Sequence, residues 1–344
     1  MKETAQDTPI ISIVIPCRNE SSYLASCLES VLANDYRQDK LEILMVDGGS
    51  TDETREIINN YMKNHVNVRL LDNPGKTTPK AFNLGIRNAT GELIMIMNAH
   101  STYPRTYISD TLKLLLGSDA ENAGGRVVNV PNGNSPWAMP VSIVTAHLFG
   151  VGDSAFRTSD GKPRYADTVA YGLYRKKIFD EIGLFDERMT RNQDNELNAR
   201  LHRHGYKIIL SPEIKAYYKN QATLAGLLQQ GYFTGMWNIY TLKMHSYTFK
   251  WRRFMPAAFV AYLISIPLVL MLTDWGKYYL LPAALYTVIN MIVSLTRHHS
   301  LAVKARVALT FIGYHSAYGS GTLFGIINII TGRWKRYLGV TIKK

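Results

Sequence analysis

The chain has 344 residues, enough for one large core with an appendage, and two cysteines, Cys17 and Cys27, too few for a disulfide framework or a thiolate metal site. That cysteine usage points to a reducing compartment. The net charge of +12 is unevenly placed: from Ile214 to Lys344 there are 15 Lys or Arg and one acid, Asp274, whereas the first 213 residues carry 26 acids and 24 bases. The bases of the second part flank long apolar runs instead of forming a stripe, which argues against nucleic acid and for an anionic membrane surface.

The amino-terminal Met-Lys-Glu-Thr-Ala-Gln-Asp has no apolar core and does not read as a signal peptide. Ile10 to Ile15 predicts a buried first strand ended by Pro16, with Cys17-Arg18-Asn19-Glu20 as the connection. Ser21 or Ser22 caps a helix reaching about Ala33, with Leu24, Leu28, Val31 and Leu32 on one face. Leu41 to Val46 predicts a second strand. In the following Asp47-Gly48-Gly49-Ser50-Thr51-Asp52-Glu53-Thr54 the glycines make a tight turn, and Ser50 and Glu53 have capping-box spacing for a helix. Val68 to Leu71 is a third strand, Asn73-Pro74-Gly75-Lys76 a turn, and Pro79 sits in the first turn of a helix reaching about Asn88. Leu93 to Met97 is a short apolar run suited to a strand buried on both faces; it ends in Asn98-Ala99-His100, and Pro104 stops any extension.

Strands alternating with helices predict a doubly wound α/β half that binds a nucleotide. It has neither Gly-x-Gly-x-x-Gly nor Gly-Lys-Ser/Thr, which argues against a dehydrogenase or a P-loop enzyme. Polar residues after such strands lie at their carboxyl ends, where open α/β sheets bind ligands. His100 suits a divalent metal and Asn98 a sugar or ribose hydroxyl, although a plain polar turn would look the same. Further on, Gln193 to His204 predicts a helix with Thr190 and Gln193 at capping-box spacing and Gly205 as its stop. Asp194 and Asn198 share one face of it, while Glu196 and Arg200 can pair on another.

Pro256 to Leu272 and Tyr278 to Leu295 are uncharged apolar runs close to the roughly 20 residues a membrane span needs. Trp251-Arg252-Arg253 before them, and Arg297, Lys304 and Arg306 after them, place both outer flanks in the cytoplasm by the positive-inside rule. Val307 to Ile330 is interrupted by glycines and His315. A re-entrant or interfacial hairpin there, preferred over a third span, would keep Arg333, Lys335, Arg336, Lys343 and Lys344 inside. Leu224 to Phe254 suits helices lying on an anionic bilayer surface. The organisation expected is a catalytic domain over 1–220, interfacial helices over 221–254 and a membrane region over 255–344.

Ile-Pro-Cys-Arg-Asn-Glu at 15–20, Val-Asp-Gly-Gly-Ser-Thr-Asp-Glu-Thr at 46–54 and Asn-Ala-His at 98–100 resemble the family 2 glycosyltransferases of the GT-A fold. Phe149 to Arg157, Asp167 to Gly172, Gly183 to Glu187 and Arg191 to Asn198 resemble the succinoglycan-biosynthesis branch of that family. The resemblance implies a nucleotide-sugar donor, probed first as a UDP-sugar, a divalent Mn²⁺ or Mg²⁺ at His100, and Asp194 as catalytic base. It implies Asp47 and Glu20 on the nucleoside, Asn98 and Gly125 facing the ribose or sugar, and Pro16, Arg18, Gly49, Lys76, Ala99 and Gln193 lining the same site. Gln230 and Trp237 fall in its acceptor or diphosphate region. The pattern departs in two places: Asn98 stands where the family has Asp, and Gln229 to Trp237 lacks the Arg of processive synthases. The implied activity is inverting transfer to a polyprenyl-diphosphate-linked or other lipid-linked saccharide at the cytoplasmic face of the cell membrane, in exopolysaccharide or other surface-glycan synthesis. A processive polysaccharide synthase and a catalytically impaired nucleotide-binding scaffold are the alternatives.

Overall fold

The computed structural model describes residues 8–338 apart from 153, 275, 297 and 298; Asp153, Arg297, Lys343 and Lys344 of the readings above lie outside the described residues. The described residues divide into two compact units, one of 8–128, 155–218 and 337–338, the other of 129–154 and 219–336. The stretch 129–154, expected within a single domain over 1–220, therefore groups with the carboxyl-terminal helices.

The first unit starts with β1 (Ile11–Cys17), α1 (Ser21–Leu32), β2 (Leu41–Asp47), α2 (Thr54–Asn64), β3 (Val68–Asp72), α3 (Thr78–Asn88) and β4 (Leu93–Ile96). These strands pair in parallel in the order β3-β2-β1-β4. Side chains alternate across a strand, and here both sets are apolar, so both faces of the sheet are covered. Ile11, Ile13, Ile15, Ile43 and Met45 form one core with Leu24, Leu28 and Ile58. Val14, Leu44 and Val46 form the other with Phe82 and Ile86.

The chain continues through β5 (Ser101–Thr102), α4 (Tyr107–Leu116) and β6 (Asn122–Val130), then α5 (Ala138–Val144) and α6 (Leu148–Val151) of the second unit. It returns as α7 (Ala155–Thr158), β7 (Arg164–Tyr165), β8 (Ala170–Arg175), α8 (Lys177–Ile182), α9 (Gln193–Arg203) and β9 (Ile208–Lys219). Among the described residues the sheet runs β3-β2-β1-β4-β8-β6-β9-β5, with β7 on β9. From β8 onward the pairing is antiparallel where its register is defined. The doubly wound half is joined to an antiparallel half.

Three helix starts differ from the sequence reading. No side chain caps α1, α2 or α9, and Ser21 and Ser22 lie inside α1, whose N-cap is Glu20. Ser50 Oγ instead donates to Asp47 Oδ1, and the Thr190 Oγ1 and Gln193 Oε1 atoms are buried without partners. The Glu196–Arg200 pair forms as expected, with Arg200 Nη2 2.7 Å from Glu196 Oε2. β1 also runs through Pro16, which lies opposite Val46, to Cys17.

The second unit is organised on α14 (Leu301–Ile330), against which α10 (Leu224–Met244), α11 (Met255–Leu272) and α13 (Leu281–Leu295) pack; α12 (Gly276–Tyr279) precedes α13. The hairpin expected over 307–330 is one unbroken helix. Its glycines do not break it; they let other backbones approach. A Cβ at Gly321 would lie 1.9 Å from the Tyr232 carbonyl oxygen, and one at Gly235 of α10 2.1 Å from that of Tyr318. This is the small-residue packing common between membrane helices. α10, expected on a bilayer surface, instead buries Trp237 and Tyr240 completely in this seam. Among the described residues two stretches are long and apolar enough to cross a membrane, Trp251–Leu272 (mean hydropathy 2.2) and Gly276–Leu295 (1.5), and each is only 11% buried. A soluble core helix would be mostly covered.

Candidate active site

The carboxyl ends of β1 and β2 carry two loops stitched to each other. Asn19 N–H donates to Ser50 Oγ (2.9 Å), Thr51 N–H to Asn19 Oδ1 (2.8 Å), Glu20 N–H to Thr54 Oγ1 (2.8 Å) and Ser21 N–H to Asp52 Oδ2 (3.1 Å). Partial burial works against it, but the donors at Thr54 and Ser21 hold the Asp52 carboxylate down at about 2. Asp47 is fully buried at the centre. Its oxygens accept from the N–H groups of Gly49 and Ser50, from Ser50 Oγ and from Arg55 Nη1 (2.8 Å), which also reaches Asp72 at 2.5 Å. A carboxylate has about four acceptor positions, so Asp47 shapes this loop and has little left to offer a nucleoside. Arg18 is exposed and its aliphatic stem lies over Gly48, while the Lys76 stem passes Gly49.

At the end of β4 the side chains are buried or half-buried. Ala99 is buried. Asn98 Nδ2 donates to the Tyr171 hydroxyl (2.8 Å), to which Ser101 Oγ also donates (2.9 Å). The Asn98 backbone is held as well, its N–H donating to the Tyr103 hydroxyl (3.1 Å) and its carbonyl accepting from Cys27 Sγ (3.3 Å). This fixes the amide and leaves Asn98 Oδ1 buried without a partner, an acceptor in want of a donor. The cysteines are free and buried; burial first, then the Glu20 charge, pushes the Cys27 thiol up to about 12. They are spectators.

His100 Nδ1 lies 3.4 Å from Glu20 Oε2, and its ring packs on Tyr218 with 5.2 Å between centroids. Pairing of Ser101 with Tyr218 in the β5–β9 ladder brings that ring there. Burial raises the Tyr218 phenol, against the opposing charges of Arg157 and Arg191. Burial also lowers the Arg191 guanidinium. Arg191 stands just before α9, whose first turn carries exposed Asp194, with Oδ1 accepting from the Asn195 N–H at 2.8 Å. Glu20, His100, Tyr218, Arg157 and Arg191 thus form one neighbourhood, reaching the helix that bears Asp194.

Sequence reasoning missed Arg157, Arg191, Tyr171 and Tyr218. The two arginines were visible as bases inside motif segments; Tyr171 and Tyr218 depend on non-local pairing. Among the described residues four non-glycines have positive φ: Asn19 (56°), Lys76 (58°), Tyr171 (51°) and Asn192 (60°). All four belong to the segments around this site. For Lys and Tyr such a conformation costs about 1–3 kcal/mol and persists where surroundings enforce it, as functional sites do.

Other expected site residues are placed differently. Gly125 is buried, and a Cβ there would lie 2.2 Å from the Ile214 carbonyl oxygen; it is a packing glycine, with no face for a donor. Trp237 is fully buried in the α10–α14 seam with Nε1 unpartnered, so it cannot meet an acceptor; Gln230 Oε1 is likewise buried without a partner. No group of three or more His, Cys, Asp or Glu able to hold a metal occurs among the described residues. Glu20 and His100 offer two donors. That suffices only for an ion completed by substrate phosphates and water, the usual manner of Mg²⁺ in nucleotide sites.

Comparison with known proteins agrees with this architecture. Residues 12–183 match the sequence model of Glycosyl transferase family 2. A dolichyl N-acetyl-α-D-glucosaminyl phosphate 3-β-D-2,3-diacetamido-2,3-dideoxy-β-D-glucuronosyltransferase of Methanococcus voltae is 30% identical over 66% of this chain and 76% of its own length. Succinoglycan biosynthesis protein ExoA of Rhizobium meliloti is 30% identical over 65% of this chain and 68% of its own. Among solved structures, the mannosyltransferase PcManGT from Pyrobaculum calidifontis, in complex with GDP-Man and Mn²⁺, aligns with a TM-score of 0.61 over 96% of this chain and 92% of that one, at 15% identity. The fold is that of the GT-A transferases, and the chain is an enzyme of glycosyl transferase family 2.

Proposed function

We propose that this chain moves a sugar from a nucleotide-sugar to a lipid-linked saccharide by single displacement with inversion. The observation that supports this most is the convergence of Glu20, His100, Tyr218, Arg157 and Arg191 next to the helix carrying Asp194. Asp194 takes the proton of the acceptor hydroxyl as its oxygen attacks the anomeric carbon. The bond from that carbon to the diphosphate breaks, and Arg157 and Arg191 stabilise the departing charge. Asn98 Oδ1, fixed by Tyr171, accepts a hydrogen bond from a donor hydroxyl. The stitched loops at Asn19 and Ser50 form the nucleoside's side of the site, with Arg18, Gly49 and Lys76 along it.

A divalent ion such as the Mn²⁺ in PcManGT would be held by His100, with Glu20 beside it, and would add positive charge for the departing diphosphate. The M. voltae relative's dolichyl phosphate substrate supports a lipid-linked acceptor. A poly-β-1,6-N-acetyl-D-glucosamine synthase of Staphylococcus epidermidis, 28% identical, keeps a processive reading in view, but the lack of an Arg in Gln229 to Trp237 disfavours it.

For the membrane we infer that Met255–Leu272 and Leu281–Leu295 span it while α14 stays packed among other helices, so that the tail returns to the cytoplasm with the catalytic unit. In a background lacking Cys17 and Cys27, a Lys335→Cys variant is expected to label only after permeabilisation. Labelling in intact cells would make α14 a third span. The activity is tested by nucleotide release in detergent across UDP-, GDP- and dTDP-sugars, with and without polyprenyl-linked saccharides. Acceptor-stimulated release with one donor is expected, and stimulation with none would overturn the proposal.

A further inference from the structure

Between α10 and α11 the chain makes two short turns, Ser246–Thr248 and Trp251–Phe254. Over 221–254 there are four bases, Lys243, Lys250, Arg252 and Arg253, and no acid. Next to the last three, Phe249 is 59% and Trp251 69% exposed, immediately before the apolar α11. Exposed aromatic rings beside cations at the end of an apolar helix settle at the level of lipid headgroups.

Behind these side chains lies a hollow of about 10 Å³ lined by Asn238, Thr248, Lys250, Arg253 and Phe254 among others. It has room for about one water, so a larger group would sit at its mouth. Its polar floor is built: Asn238 is 7% exposed, and its Nδ2 donates to the Tyr318 hydroxyl of α14. Tyr318 is within electrostatic reach of both Arg252 and Arg253. The Arg253 N–H donates to the Lys250 carbonyl at 3.0 Å and its Nη1 to the Thr248 carbonyl at 3.4 Å, which ties the guanidinium beside the hollow.

We propose that the mouth of this hollow, with Lys250 and Arg253 on its rim and Asn238 and Tyr318 beneath, binds the phosphate group of a lipid whose chain lies along α11. Guanidinium and ammonium donors give charge-assisted bonds to phosphate oxygens. The exposed Ile264, Leu268 and Met271 of α11 continue the path in apolar surface. The proposal rests on the membrane reading above and moves the acceptor's phosphate from Gln230 and Trp237 to the Lys250–Phe254 turn.

The test uses the full chain in detergent, with bound lipid counted by native mass spectrometry. The probes are a polyprenyl monophosphate, phosphatidylglycerol and inorganic phosphate as competitor. The double variant Lys250→Gln with Arg253→Gln is expected to weaken lipid binding by about tenfold or more, the loss typical of a charged hydrogen bond. Arg253→Lys, which keeps the charge, is expected to recover most of it, so a misfolded variant is not mistaken for a lost site. Tighter binding of the polyprenyl monophosphate is expected; phosphatidylglycerol binding as tightly would make the contact a bulk headgroup and overturn the assignment to the acceptor. Displacement of lipid by inorganic phosphate would support a site that holds the phosphate group, and equal binding by the double variant would overturn the proposal. UDP binding is measured in parallel: its absence in the wild type would sink the transferase reading and leave the lipid site standing.

Discussion

The two units differ most in what they turn outward. In the first, Ile, Val, Leu and Met fill both faces of the sheet, and polar side chains gather at the strands' carboxyl ends. In the second, Thr310, Thr322, Ser294, Asn290 and Asn328 are buried, while Ile264, Leu268, Leu272, Leu281, Leu285 and Leu295 are exposed. The inner polar groups satisfy each other, as Asn328 Nδ2 does by donating to the Tyr240 hydroxyl at 2.7 Å and Asn290 Nδ2 by donating to the Ala308 carbonyl at 3.1 Å. Apolar surface turned outward is stable only in an apolar solvent, so the exposed side chains of the two candidate spans fit the membrane reading proposed above. Chemistry and anchoring should then fail independently.

Asp194→Asn is the sharpest test of that independence. Transfer should fall on the order of 10²–10⁴-fold, the usual worth of a general base, while donor binding and thermal stability stay near wild type. Activity within a few-fold of wild type would remove Asp194 from catalysis and leave it as a favourable charge in the first turn of α9.

Gly321→Leu should do the reverse. Its Cβ would fall 1.9 Å from the Tyr232 carbonyl oxygen, so α10 and α14 must separate. Overpacking of this kind costs about 1–3 kcal/mol or more. A lower melting temperature in detergent is expected, with UDP binding retained by what stays folded. An unchanged melting temperature would mean that the glycine seam does not hold the helices together.

The parallel half of the sheet was legible because strands covered on both faces are apolar throughout, as Ile11 to Ile15 and Leu41 to Val46 are. The two candidate spans were legible as helices from their uncharged apolar length. What escaped depends on partners remote in sequence. Ser50 has the spacing of a cap, yet Asp47 is the nearer acceptor for its hydroxyl. The glycines of α14 read as breaks because only the facing α10 shows that they admit its backbone. Tyr218 reaches His100 through the β5–β9 pairing, which two residues of β5 could never announce. Of the residues expected to face a donor, Glu20 and His100 lie 3.4 Å apart at the ends of β1 and β4, whereas Gly125 is packed against the Ile214 backbone.

A smaller effect is expected of Asn98→Asp. It places a carboxylate where the amide oxygen now lacks a partner, and the Tyr171 hydroxyl can reverse to donate to it. Hard cations favour anionic oxygen, so Mn²⁺ should bind a few-fold tighter in the presence of UDP, without loss of transfer. Calorimetric titration of Mn²⁺ into the UDP complex measures this. Unchanged affinity would place Asn98 away from the ion and leave its oxygen to a donor hydroxyl.

The smallest effect belongs to Asp52, which ties the loops at the ends of β1 and β2 by accepting from the N–H groups of Ser21 and Thr54 at 3.1 and 3.0 Å. The side chain lies at the surface, so its worth is modest and screened by salt. Its sign is nevertheless definite. The carboxylate titrates at about 2 when folded, against about 3.9 in an unfolded chain. Its contribution is therefore complete above pH about 4 and disappears as the pH falls toward 2. Asp52→Asn should lower the melting temperature slightly at pH 6, and the gap from wild type should narrow as the buffer is taken below pH 4. A gap of equal size across that range would show that the loops are held by the Asn19–Ser50 and Glu20–Thr54 bonds alone, with the charge on Asp52 contributing nothing.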